Sequence, residues 1–156
     1  MERILRIVLV EPEIPPNTGN VARLSAAVGA RLHLVRPLGF ELDDRRLKRA
    51  GLDYWPDVRM TVHDDFSGLK TELAEAPFYL ATTKGERSYT DIKYEPGCCL
   101  VFGAETRGLP ECILAAYPDR QIKIPMREGC RSLNLSNAVA VVVYEVMRQW
   151  DFAGLV

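Results

Sequence analysis

The pattern of apolar and polar residues divides the chain into short apolar runs that alternate with segments of helical character. The runs rich in Val, Ile and Leu predict buried strands, and they cover residues 3–10, 31–35, 59–63, 78–82, 98–102 and 121–124. The segments between them predict helices over residues 21–28, 43–50, 64 or 65 to 75, and 110–116, with a last apolar helix after 134 or 136. Strands that alternate with helices predict an α/β fold, a mostly parallel sheet with helices on both faces.

Three of the connecting segments carry more specific predictions. Prolines between positions 12 and 16 predict an extended stretch, so that the chain turns at 17–20 before its first helix. The last helix is entered from a cap at Asn134 or Ser136. Residues 85–97 are polar and show no periodicity, which predicts a loop with little regular structure.

Composition fits one ordinary globular domain. The 156 residues suit a single domain, 1–156, with 47% hydrophobic and 26% charged residues. No run is long enough to span a bilayer, and the start of the chain lacks a signal-peptide cleavage site, so we expect a cytoplasmic protein with no membrane partner. Four cysteines without paired spacing and two histidines predict reduced, mostly buried thiols and no metal site. The net charge of −1 still permits a local basic face.

Three polar loops, 17–23, 103–109 and 127–137, are the candidates for chemistry. The last two follow predicted strands, and the carboxyl ends of parallel strands meet at one edge, so they predict a single pocket. A plainer alternative for 127–137 is that its Ser and Asn residues only cap a helix. The sequence GAETRG lacks the Lys and Ser or Thr of a phosphate-binding loop, and no G-x-G-x-x-G follows the first strand. A ligand must therefore be held in another way.

The loops lie within longer motifs that resemble a known family. Three segments resemble, in order and spacing, the three signature motifs of the SPOUT, or SpoU, RNA 2′-O-methyltransferases. They are PPNTGNVAR, LVFGAETRGLP and IPMREGCRSLNLSNAVAVVVYE. With EPEIPPNTGN and ATTKG added, the chain most resembles the small members that act on the wobble nucleotide of tRNA, over nearly its entire length.

The resemblance implies a fold and an activity that the residue patterns alone do not give. It implies the SPOUT fold with a C-terminal trefoil knot, and a homodimer in which each active site takes residues from both chains. It implies S-adenosyl-L-methionine as cofactor, S-adenosyl-L-homocysteine as product, no metal, and tRNA as partner. The expected reaction is 2′-O-methylation of the ribose at position 34, a cytidine or modified uridine. The alternatives are another tRNA or rRNA site, or a catalytically silent RNA-binding knot protein.

Matching the motifs residue by residue assigns roles. The residues expected to bind the cofactor are Ala81, Gly103, Ile124, Met126, Ser132 and Leu133. The residues expected to be catalytic are Arg23, Glu105, Ser132 and Asn134. Arg23 would lie at the ribose hydroxyl, where a permanently protonated guanidinium is better suited to orient the substrate or stabilise an alkoxide than to remove a proton. Core packing is the alternative for the apolar residues, and an internal salt-bridge and cap network is the alternative for the polar ones.

Substrate contacts are expected from motif residues and from surface features. Asn17 and Arg107 belong to the first and second motifs. Arg45 and Arg46 begin a basic helix that, with a dimer partner, offers a path for the tRNA backbone. Trp55, with Tyr54 beside it, offers an aromatic ring on which an unpaired base of the anticodon loop can stack.

Overall fold

The computed structural model describes residues 3–51 and 56–156. This part of the chain contains seven strands: β1 (Arg6–Val10), β2 (Arg31–Val35), β3 (Arg59–His63), β4 (Phe78–Ala81), β5 (Arg87–Ser88), β6 (Cys99–Phe102) and β7 (Gln121–Lys123). They form one parallel sheet in the order β3-β2-β1-β6-β4-β7-β5. The helices are α1 (Pro15–Val28), α2 (Arg45–Gly51), α3 (Phe66–Glu72), α4 (Glu111–Ala116) and α5 (Leu135–Gln149), with 3-10 turns at Tyr89–Asp91 and Pro118–Arg120.

Both faces of the sheet are covered, as the alternation of elements predicts. Successive strand residues point to opposite faces, so Ile7 and Leu9 of β1 enter the core packed by α1 and α5. Val8 and Val10 enter the other core, which α3 and α4 cover. The predicted α/β fold with helices on both faces is confirmed.

The turn predicted at 17–20 is wrong. Helix α1 begins at Pro15, and the extended stretch ends at Ile14, its N-cap. Pro15 and Pro16 occupy the first helical positions, where an amide has no intrahelical partner and its loss costs little. The prolines therefore start the helix instead of delaying it, and Asn17 lies within it.

Other boundaries shift by a few residues. Strand β1 begins at Arg6 instead of residue 3, because its partner β6 begins at Cys99, opposite Arg6. Helix α2 runs to Gly51, which was expected to end it. Asp65, one of two candidate starts for α3, is its N-cap and accepts a hydrogen bond from the Gly68 amide at 2.7 Å. The loop 85–97 contains β5 and a 3-10 turn, so it has more regular structure than predicted.

The last helix is held against the sheet by the segment that follows β5. Gln149 Nε2 donates to the Ile92 carbonyl at 2.8 Å, and the Tyr94 amide donates to Gln149 Oε1 at 3.0 Å. Trp150 Nε1 donates to the Tyr94 carbonyl at 3.1 Å. These bonds fix the end of α5 to the connection between β4 and β6. The trefoil knot implied by the resemblance concerns how these segments thread through one another, and it stays a prediction.

The four cysteines are free, as expected, but only two are buried. Cys98 and Cys99 lie in the core, where burial raises the pKa of each thiol to about 12. Cys112 and Cys130 are exposed, which corrects the expectation of mostly buried thiols, since they lie on α4 and in the loop before α5. Within residues 3–51 and 56–156, no helix is long and apolar enough to cross a membrane.

Candidate active site

A cavity of about 500 Å³ opens at the carboxyl edge of the sheet, where β4, β6 and β7 end. The segments after these strands form its walls, and α5 contributes Leu135 and Ala138. The second and third polar loops thus meet at one pocket, as the parallel sheet predicts. The first polar segment, 17–23, is helical and supplies no lining residue.

All six residues expected to bind the cofactor line this cavity: Ala81, Gly103, Ile124, Met126, Ser132 and Leu133. They come from three segments that are distant in sequence. Much of the wall is apolar and includes Phe102, Leu114 and Ile124, whereas hydroxyl and charged groups lie along the polar loops. Binding of the cofactor by these residues stays a prediction.

Gly103 has a structural role that the sequence did not reveal. A Cβ at this position would overlap the peptide between Gly108 and Leu109. The loop folds back on itself through an isolated bridge between Ala104 and Gly108, and the Gly108 amide donates to the Ala104 carbonyl at 2.8 Å. Glycine at 103 is therefore required by the shape of the loop that lines the cavity.

Glu105 points out of the cavity loop toward the segment before α1. Its Oε2 accepts the Glu13 amide at 2.7 Å and its Oε1 accepts the Ile14 amide at 3.2 Å. Glu13 Oε1 in turn accepts the Thr106 amide at 3.0 Å and the Thr106 hydroxyl at 2.6 Å. The hydrogen bond from the Thr106 hydroxyl, followed by the bond from the Thr106 amide, holds the pKa of the Glu13 carboxyl below its usual value. Glu105 and Thr106 line the cavity, so the pocket is connected directly to the start of the first motif.

Asn134 joins the third motif to the first. Of the two candidate caps, it is the N-cap of α5, and its Oδ1 accepts the Asn137 amide at 3.3 Å. Its Nδ2 donates to Oδ1 of Asn17, which is buried in α1, at 3.0 Å. Ser132 lies two residues before this cap and is exposed in the cavity wall. The alternative of a cap network is therefore correct for Asn134, while donation to the ribose oxygen by Ser132 or Asn134 stays a prediction.

The remaining candidates lie on α1 and α2 or at the rim. Arg23 is exposed on α1 and is not among the residues that line the cavity. Arg107 lines the cavity and its Nη2 lies 3.8 Å from Glu11 Oε1. Arg45 and Arg46 are exposed on α2, where Arg46 pairs with Asp44 at 3.3 Å. Trp55 and Tyr54 lie outside the described residues.

Helix α2 is placed against α1 by a second close approach. A Cβ on Gly19 would overlap the Leu47 carbonyl oxygen and the Ala50 Cβ. The two helices therefore pack closely at Gly19, so α2 and its basic residues are held against α1, the helix that carries Asn17 and Arg23. The structure thus gathers the cofactor candidates in one cavity and most of the substrate candidates on the α1–α2 pair.

Comparison with known proteins identifies the family. A sequence model described as the SpoU rRNA Methylase family matches residues 4–144. The chain belongs to the SpoU family.

Several SpoU relatives are similar to this chain over nearly their whole length. The tRNA (cytidine(34)-2′-O)-methyltransferase of Burkholderia pseudomallei (strain 1106a) is 53% identical over 154 residues, covering 97% of this chain and 99% of the relative. The tRNA (cytidine(34)-2′-O)-methyltransferase of Escherichia coli (strain K12) is 52% identical over 155 residues, covering 98% of each. A solved structure described as giving structural insights into the 2-OH methylation of C/U34 on tRNA is also similar. It has a TM-score of 0.92 at 48% identity, covering 96% of this chain and 98% of that chain. The resemblance to the SpoU family is confirmed.

Sequence reasoning missed several residues of this SpoU pocket. Thr82, Thr83, Thr106 and Arg131 line the cavity but were not singled out. A signal existed for all four, because each lies in a polar turn directly after a predicted strand or beside a motif residue. Glu13 gave no such signal, since its partner Thr106 is 93 positions away and only the folded chain brings them together.

Proposed function

We propose that the protein is an S-adenosyl-L-methionine-dependent tRNA 2′-O-methyltransferase that acts on the ribose of wobble nucleotide 34. The observation that carries the proposal is the convergence of Ala81, Gly103, Ile124, Met126, Ser132 and Leu133 on one cavity. Close relatives with matching length bear the name of this activity, which supports the assignment of position 34.

The cavity suits the chemistry of the cofactor. Its volume of about 500 Å³ lies within the range of ligand pockets. Apolar residues such as Phe102, Leu114 and Ile124 suit an adenine ring, and Thr82, Ser132 and Arg131 offer polar groups for a ribose and an amino-acid tail. When bound, the cofactor supplies an electrophilic methyl group, and its product is S-adenosyl-L-homocysteine.

The chain's own residues would position the ribose. The guanidinium of Arg23 has several hydrogen-bond donors in a planar fork, so it would orient the ribose phosphate or stabilise negative charge that develops on the 2′-oxygen. Ser132 is exposed in the cavity wall and would donate a hydrogen bond near that oxygen. Asn134 would act by fixing the start of α5, since its side chain is engaged by Asn17, Ser136 and Asn137.

The substrate surface would extend from the cavity onto α1 and α2. Arg45 and Arg46 are exposed there, and α2 is fixed to α1 by the close approach at Gly19. Positive side chains along such a path would bind the tRNA backbone without regard to sequence. Trp55 would stack on an unpaired base, and Arg107 at the rim would contact a phosphate.

A second copy of the chain would complete the site. Arg23 lies outside the cavity lining of its own chain, so a reaction that uses both needs Arg23 from a partner chain or a large rearrangement. Helix α5 packs beside α1 and leaves the side chains of Val141 and Tyr144 exposed at 38% and 45%. These features support the proposed homodimer, and a cytoplasmic location stays a prediction of the same proposal.

Transfer of a labelled methyl group tests the proposal. The protein is incubated with methyl-labelled S-adenosyl-L-methionine and, separately, with total tRNA and with ribosomal RNA from cells that lack the enzyme. Label in tRNA alone is expected. Label in ribosomal RNA would favour another substrate, and no label in either RNA despite cofactor binding would favour a silent RNA-binding protein.

A further inference from the structure

Two short segments that are far apart in sequence hold each other by reciprocal hydrogen bonds. Glu105 accepts the amides of Glu13 and Ile14, and Glu13 accepts the amide and the hydroxyl of Thr106. The distances lie between 2.6 and 3.2 Å. Bonds to carboxylates are stronger than neutral ones, so these four contacts make a firm connection between the cavity loop and the segment before α1.

The connection lies at a sensitive place on α1. Ile14 is its N-cap and makes no side-chain cap bond, and Pro15 and Pro16 have no amide hydrogen. The carboxylate of Glu105 therefore accepts the amides just before these prolines. It also places a negative charge at the N-terminus of the helix, where negative charge is favourable. A displacement of Glu105 would break the hydrogen bonds that its carboxylate accepts at the beginning of the helix that carries Arg23.

The other side of the same segment is also fixed. The Gly39 amide donates to the Pro12 carbonyl at 2.9 Å, and a Cβ on Gly39 would lie 2.7 Å from the Glu13 Cα. The segment is thus packed closely against Gly39 on one side and bonded to the cavity loop on the other. It cannot move away from the loop without breaking these contacts.

We propose that Glu13, Glu105 and Thr106 are positioning residues that couple the cavity loop to the start of α1, so that ordering of the loop by the cofactor also fixes the helix that carries Arg23. This inference rests on the proposed function, since it takes the cavity as the cofactor site and α1 as part of the substrate site. It assigns Glu13, which was not among the predicted site residues, a role in preparing the enzyme to bind tRNA. Coupling of this kind makes cofactor and tRNA each raise the affinity of the other.

Hydrogen exchange with a non-reactive ligand tests the coupling without catalysis. The full-length protein is measured with and without S-adenosyl-L-homocysteine at about ten times its Kd, where a bound state can slow local exchange about 10-fold. In the unmodified protein we expect slower exchange in 103–109 and also in 13–20. Protection confined to the cavity loops, or no protection at all, would overturn the inference.

Matched substitutions separate the clamp from the cavity. Thr106→Val removes the hydroxyl donor with little change in shape, whereas Thr106→Ser keeps the donor. With Thr106→Val or Glu13→Gln we expect protection of 13–20 to fall while 103–109 remains protected. Thr106→Ser and the control Glu75→Gln, an exposed position outside both segments, should behave like the unmodified protein. Equal protection of 13–20 in the Val and Ser variants would overturn the inference.

Kinetics distinguish a failure of the coupling from a failure of the proposed function. If the unmodified protein methylates tRNA, Thr106→Val should lower kcat/KM for tRNA about 10-fold, the size expected for loss of one bond to a charged group. Its Kd for S-adenosyl-L-homocysteine should change far less. Methylation by the unmodified protein with identical tRNA kinetics in both Thr106 variants would refute the coupling alone, whereas no methylation by any form would refute the proposed function.

Discussion

Asn134 Nδ2 donates a hydrogen bond to Asn17 Oδ1 across 3.0 Å, although 117 positions separate the two residues. The same Asn134 accepts the Asn137 amide as the N-cap of α5, and Asn17 is buried in the first turns of α1. One side chain therefore starts one helix and attaches it to another. The first and third motifs are joined by this bond, just as the first and second are joined through Glu13 and Glu105.

Removing the Asn134 side chain should destabilise the fold. Asn134→Ala loses a helix cap and an inter-helix bond, which together should cost about 1–2 kcal/mol of unfolding free energy. Asn17→Ala loses the inter-helix bond alone and should cost less unless the buried site becomes a cavity. Urea unfolding of both single variants and the double variant measures the coupling between the residues. Strictly additive effects would mean that the bond contributes nothing.

Arg23 should affect transfer more than cofactor binding. Because it lies outside the cavity lining, Arg23→Ala should leave the Kd for S-adenosyl-L-methionine nearly unchanged. The methyl-transfer rate should fall about 100-fold or more, as for the loss of one group that stabilises developing charge. Arg23→Lys keeps the charge without the planar fork and should recover only part of the rate. Single-turnover rates and calorimetry check this, with exposed Arg59→Ala as control; a near-normal rate in Arg23→Ala would remove it from the chemistry.

Even the smallest side chain at position 103 should disturb the cavity. In Gly103→Ala the new methyl group would overlap the Gly108–Leu109 peptide, so the loop must open. We expect cofactor affinity to fall by about 10-fold or more and the midpoint of thermal unfolding to drop, since a close backbone contact is lost. Calorimetry and thermal unfolding measure the two effects. Unaltered affinity in a folded variant would mean that the loop shape does not matter for binding.

A buried histidine pair should make stability fall in mild acid. His33 Nδ1 and His63 Nε2 are 2.9 Å apart, and His33 Nε2 has no hydrogen-bond partner within the described residues. Burial, aided by His63 and nearby Arg6 and Arg31, lowers the pKa of His33 from 6.5 to about 4. Below pH 6.5 the unfolded chain takes up a proton that the folded chain refuses until about pH 4, so folding stability decreases across this window.

The size of this effect follows from the shift. Between pH 7 and pH 5 the His33 contribution should lower the unfolding free energy by about 1–2 kcal/mol. Urea unfolding of the unmodified protein and of His33→Leu at both pH values measures it, since other groups titrate in both proteins. Equal pH dependence in the two proteins would show that His33 does not titrate differently on folding.

The elements of the sheet could be predicted from the sequence because each strand is a short apolar run between breaking residues. The strand predicted over residues 98–102 differs from β6 by one residue at its start. The start of α1 could not be predicted, because two adjacent prolines are compatible with an extended stretch and with a first helical turn, and contacts with Glu105 and Gly39 favour the helix in the folded chain.

The candidate site divides in the same way. Residues such as Ala81 and Ile124 line the pocket because they lie at or next to strand ends, where motif order already puts them, and their contact with the cofactor stays a prediction. The connections of Glu13 with Thr106 and of Asn17 with Asn134 depend on tertiary contacts across 93 and 117 positions, and one sequence contains no local signal for them.

The most direct test uses two synthetic anticodon stem-loops that differ in one atom. One carries cytidine at position 34 and the other carries 2′-deoxycytidine there, and each is incubated with the protein and methyl-labelled S-adenosyl-L-methionine. We predict one methyl group on the ribose of nucleotide 34 in the first RNA and none in the second. Equal labelling of both RNAs, or label at another nucleotide, would contradict the account.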